Sequence, residues 1–86
     1  WVVDCGAATQ NLLLAAHSLG LGSCWVGLHP REQRKASIAA LLDLPGHVKP
    51  FALVALGHPA EKKMRPERFH PGKVRHNRWN TAWYSE

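Results

Sequence analysis

Three kinds of residue in this sequence have the chemistry to build a site. Histidine precedes proline at residues 29, 58 and 70, and neutral imidazole is a common metal ligand. No carboxylate or cysteine stands at a matching spacing, so the His-Pro pairs read as turns, since the residue before a proline is held extended. Cys24 is a possible nucleophile, yet a reactive thiolate needs a base or a positive neighbour, and the local run SCWVG supplies neither. It reads instead as a buried strand cysteine. Trp25 beside it reads as core or as a ring offered to a flat ligand. Lys73 and Arg75 form a K-x-R pair after Pro71-Gly72, with Arg78 three residues on. In an extended segment alternate side chains project the same way, so this pair could grip one anion together, the arginine in bidentate fashion. Solvated charge is the simpler reading of the same residues.

The distribution of charge says which elements must position these groups. The 86 residues carry a net charge of +5, but residues 5–30 contain no Asp, Glu, Lys or Arg, and all eleven Lys and Arg lie at or after Arg31. A surface helix keeps a charged face toward water, whereas Leu12, Leu13, Leu14, Ala15, Ala16 and Leu19 put apolar side chains most of the way round. This predicts a buried core helix over about 4–20, opened by Asp4 as N-cap and closed by Gly20. A domain of this size buries only about 60 to 65% of its unfolded surface, too little to cover such a helix. With no initiator Met, the chain is expected to be a fragment whose missing part, or a partner chain, covers it.

After the Gly20-Leu21-Gly22 turn, residues 23–27 predict a strand ending at Gly27, where a ligand or another backbone can come close. A second, amphipathic helix is expected over about 30–44. Pro30 sits in its first turn and Glu32 near the positive end of its dipole, Ile38, Leu41 and Leu42 face inward, and Arg31, Arg34 and Lys35 face water. Pro45-Gly46 stops it. The continuous apolar run over 51–57 predicts a strand buried on both faces. The connection between the two strands is long enough for a crossover, which would leave them parallel or separated by another strand. Pro59, Pro66 and Pro71 predict an extended, non-helical tail over 59–86.

No basic region precedes the N-terminal apolar run, and Gln10, Asn11 and His17 interrupt it, so neither a signal peptide nor a membrane span is expected. Two cysteines are too few for a disulfide framework and fit a reducing cytoplasm. Seven of the basic residues fall within 62–78, close to Trp79, Trp83 and Tyr84. Such a tail suits nucleic acid, a phosphate-bearing ligand or a solvated arm on a partner subunit.

Taken together, DCGAATQNLLLAAHSLGLGSCWVG over residues 4–27 and LPGHVKPFALVALGHP over 44–59 resemble the C-terminal half of the FMN-dependent nitroreductase family, a likeness that continues to about Trp79. The resemblance implies an α+β fold with a mixed central sheet flanked by helices, built as an intertwined homodimer with FMN at the interface. The charge-free helix would pack at that interface. Ser23, Cys24, Trp25, Val26 and Gly27 would form the strand end that lines the flavin, with the backbone amide of Gly27 aimed at N5 and O4 of the ring. Only backbone contacts carry over at Val26, where several members have an acidic residue. Lys73 and Arg75 match the basic pair at the FMN phosphate.

The implied activity is transfer of electrons from NAD(P)H through FMN to a nitroaromatic, quinone or similar small acceptor, with no catalytic side chain, no metal, and no nucleic acid or membrane partner. The cofactor carries the chemistry and the protein its orientation. The family's Arg-rich phosphate motif belongs to the half absent here, so this chain alone is not a complete active site. The contrasting expectation is a non-enzymatic module whose basic aromatic tail binds nucleic acid or an acidic partner, with steep salt dependence and no chromophore.

Overall fold

A computed structural model describes residues 1–83; Tyr84, counted above with the aromatic tail, lies outside the described residues. Helix α1 runs Val2–Ser18. Its first bond is Cys5 N–H to the Trp1 carbonyl at 2.9 Å, so Trp1 is the N-cap and offers no side-chain bond. Asp4 therefore lies inside the first turn, where its charge still meets the positive end of the dipole. The helix ends on Leu19, followed by Gly20 at φ 78°. Leu21 N–H donates to the Ala16 carbonyl at 2.9 Å and Gly20 N–H to that of His17 at 3.0 Å, the paired bonds of a Schellman turn, which needs the left-handed residue that glycine supplies.

Strand β1 (Gly22–Gly27) and strand β2 (Ala52–Gly57) pair directly and antiparallel, from Gly22 opposite Gly57 to Gly27 opposite Ala52. The expected parallel or separated arrangement is thereby corrected. Length permits a crossover but does not impose one. Here the segment between the strands, including α2 (Glu32–Leu41), folds back beside the end of β1, and the strands close as neighbours.

One stripe of α1 packs on this sheet: Cys5, Gly6, Thr9 and Leu13 are half-buried and Ala16 is 4% exposed, at helical spacing. Gly6 admits Phe51, whose ring would stand 3.9 Å from a Cβ placed there. The rest of the helix, with Val3, Leu12, Leu14 and Leu19, is exposed. So is the sheet face carrying Cys24, Val26, Leu53 and Ala55. The expectation that the second strand is buried on both faces fails among the described residues, because α1 covers one face and none of the other described elements packs on the second.

Helix α2 differs from its expected form in a way that matters for the site. Pro30 precedes the helix, with Arg31 as an extended N-cap. The inward stripe is Lys35, Ile38 and Ala39, while Leu41 and Leu42 are exposed. Lys35, assigned above to water, is 8% exposed and so is buried, as Ala16 and Leu28 are.

The tail after Gly57 contains one short 3-10 helix, η1 (Pro71–Lys73), and a small closure where Arg75 bridges Ala82. The rest has no helix or strand, with bends at 60–61 and bends and a turn over 76–81, and η1 packs on none of α1, β1 or β2. The radius of gyration, 18.3 Å, compares with about 12 Å for a compact chain of this length.

Candidate functional site

The end of β1 is organised by the parity of its ladder. Leu28 N–H donates to the Phe51 carbonyl at 3.2 Å, one residue beyond the Gly27 and Ala52 pair. Hydrogen-bonded and non-bonded pairs alternate along an antiparallel ladder. Gly22, Cys24 and Val26 therefore turn their amides toward β2, and Ser23, Trp25 and Gly27 turn theirs to the opposite edge. Of the five residues expected at a ligand, three have free backbone donors among the described residues. Cys24 and Val26 do not.

Gly27 is the last of the three and lies in open space. A Cβ there would meet no atom within 4 Å, so the backbone stands open to an incoming group. Its carbonyl, on the same edge as its N–H, accepts from Nη1 of Arg34 at 3.4 Å. Arg34 has no carboxylate partner among the described residues. Leu28, Gln33, Arg34, Ser37 and Ile38 line a shallow cleft of about 310 Å³ beside this point.

Behind the strand end lies a ring cluster. His29 stacks on Phe51 (centroids 6.1 Å, 21° between planes) and meets Trp1 edge-on at 5.4 Å, and Phe51 tilts against Trp25 at 6.0 Å. Trp25 thus joins this cluster while keeping partial exposure. Lys35 enters from α2: its Nζ donates to Nδ1 of His29 at 3.0 Å and to Glu32 at 3.3 Å and sits 5.5 Å from the Trp1 ring centre. A donor at Nδ1 leaves the ring proton on Nε2, fixing the tautomer. A buried ammonium with three such partners meets the pairing that burial demands.

Cys24 corrects the sequence reading: it is exposed, its Sγ 3.9 Å from the Trp25 carbonyl, while Cys5 is half-buried. It sits on the uncovered sheet face. The described residues include no group of three His, Cys, Asp or Glu able to hold one metal ion.

Lys73 and Arg75 are both exposed, and neither forms an ion pair among the described residues. They do not share an extended segment as expected. Lys73 ends η1 and the extended backbone begins at Val74. Arg75 is held by its own loop, Nη1 donating to the carbonyls of Gly72 and Val74, with the guanidinium 5.3 Å from the Trp79 ring centre. The side chain is exposed, and its other N–H groups make a partly pre-ordered fork that suits an anion. Within the chain this pair and the end of β1 are not brought together, since η1 contacts neither strand.

The sequence reading passed over Arg34, Lys35 and the ring role of His29. Lys35 had a signal: it lies three and seven residues before Ile38 and Leu42, on the apolar register of α2. Arg34 had none, because its acceptor is a backbone carbonyl that only the fold places.

Comparison with known proteins identifies the family. Residues 2–58 match the family model for the nitroreductase family. A protein of Methanothermobacter thermautotrophicus, provisionally named NADH dehydrogenase/NAD(P)H nitroreductase, is 47% identical over 79 residues, covering 92% of this chain and 41% of its own length. An FMN reductase (NADPH) of Bacillus subtilis is 36% identical over 75 residues, 87% of this chain and 29% of that protein. A crystal structure from Parabacteroides distasonis, also provisionally an NADH dehydrogenase/NAD(P)H nitroreductase, superposes with a TM-score of 0.85 at 38% identity, covering 92% of this chain and 47% of that one. The chain spans less than half the length of these relatives. The match of sequence across α1, β1, α2 and β2, with the same α+β architecture, makes the chain a member of the nitroreductase family.

Proposed function

We propose that this protein is a flavin-dependent oxidoreductase that binds FMN, takes electrons from NAD(P)H and passes them to a nitroaromatic, quinone or similar small acceptor, acting as a homodimer. When bound, FMN supplies the electron-transfer chemistry, and the residues of this chain bind and orient it. Gly27 offers an uncommitted N–H to the edge of the isoalloxazine, with Trp25 and Ser23 as further donors along the same edge. Lys73 and Arg75 are assigned to the phosphate, Arg75 pre-ordered by Gly72, Val74 and Trp79. The exposed apolar sides of α1, with Leu12 and Leu14, support a second subunit lying against this helix. Among the described residues no helix is long and apolar enough to cross a membrane.

The observation that carries this reading is the end of β1: a backbone N–H turned off the ladder at a glycine with open space around it. Gly27→Val in the longer protein tests it. A Cβ there meets no atom of this chain within 4 Å, so the variant is expected to fold and to bind FMN at least about ten-fold more weakly, the loss of one good polar contact plus crowding. Fluorescence titration of FMN measures this. Wild-type affinity in the variant would remove Gly27 from the site.

A further inference from the structure

Gly27 presents two groups on one edge, and they have opposite preferences. Its N–H attracts a ligand that carries negative charge, and its carbonyl, left bare, repels one. Arg34 changes that balance. Its Nη1 reaches back seven residues to the Gly27 carbonyl at 3.4 Å, while its other N–H groups and its charge meet no carboxylate among the described residues. At Gly27 the strand end then presents an N–H and a guanidinium, with the carbonyl engaged. The neighbouring cation shows the contrast: Lys35 is buried and engaged by His29 and Glu32, and it serves the fold. Arg34 is exposed, and apart from that one bond its side chain has no hydrogen-bond or ion-pair partner among the described residues.

We propose that Arg34 is a positioning residue that makes the Gly27 edge selective for the reduced, electron-rich form of the bound flavin over the oxidised form. The proposal rests on the placement of FMN at Gly27 and adds to it a residue outside the expected strand and tail. Hydrogen bonds to a charged partner are stronger than those to a neutral one, so a cation beside the ring favours the form that carries the extra electron density. No proton or bond changes hands at Arg34.

The test uses the longer protein with Arg34→Gln and Arg34→Lys, both compatible with helix α2, with helical content checked by circular dichroism. FMN affinity is measured for the oxidised form and, anaerobically, for the reduced form, together with the midpoint potential. Arg34→Gln is expected to lose about ten-fold in affinity for reduced FMN with little change for oxidised FMN, the size of one charge-assisted bond. The potential falls accordingly, and Arg34→Lys recovers part of the loss. Equal weakening of both forms, or no change in either while FMN stays bound, overturns the role given to Arg34 and leaves the Gly27 site standing. A wild-type protein that binds no FMN overturns both.

Discussion

The body of the chain and its tail treat the same residue type in different ways. In the body, Arg34 and Lys35 each find a defined acceptor: a strand carbonyl for one, an imidazole and a carboxylate for the other. In the tail, residues 59–83, the cations are exposed, and Arg75 bonds to carbonyls of its own loop. The one ion pair there, Lys63 with Glu61, joins two side chains that are 82% and 73% exposed, a contact that contributes little. The body places charge to close its own structure, whereas in the tail Lys73 and Arg75 have no acidic partner among the described residues. On the proposed reading, that difference gives the fold and the ring edge at Gly27 to the first region and the phosphate to the second.

Substitutions can break this division, beginning with the deepest. Ala16→Asp sets an unpaired carboxylate where α1 meets the sheet, and is expected to destabilise the protein by about 3 to 5 kcal/mol, read by urea denaturation. A soluble variant with wild-type stability would mean that α1 does not pack there. Replacing Lys73 and Arg75 together with Ala is expected to leave the denaturation midpoint in place and to strip FMN on desalting, as charge-assisted bonds worth roughly 1.5 to 3 kcal/mol each disappear. Loss of fold without loss of flavin would reverse the roles of the two regions.

Smaller changes sharpen the comparison inside the body. Lys35→Met removes the donor to His29 and the cation over Trp1, at an expected cost of about 1 to 2 kcal/mol in denaturation. The exposed neighbour Arg34→Gln should stay within about 0.5 kcal/mol. Equal costs would show that burial does not separate these two cations. An effect between those two falls at Gly20, whose φ of 78° has open space around it. Gly20→Ala is expected to cost about 1 kcal/mol through backbone conformation alone, seen as a small drop in melting temperature.

How much of this was legible in the sequence depended on whether the information is local. The α+β class and the family were legible because the charge-free helix, the Gly-bounded strand and the apolar run keep their order. The turn at Gly20 was legible because a left-handed cap favours one residue type. The antiparallel closure was not, since strand direction depends on how the α2 segment folds back, and segment length leaves both directions open. Lys35 was misassigned because charge was weighed above its register with Ile38. Cys24 was misread because an apolar strand does not reveal which face its own chain leaves uncovered. At the site, alternation along β1 was legible, but which amides are free needed the pairing of Leu28 with Phe51. The link from Arg34 to Gly27 lay in no pattern at all.

The measurement that bears most directly on the flavin assignment is the visible absorption spectrum of the longer protein, desalted and then treated with NAD(P)H without oxygen. Flavin bands that survive desalting and bleach on addition of NAD(P)H are the predicted result. A colourless protein that takes up no added FMN would contradict the account, and the basic tail would then have to be explained by a different anion.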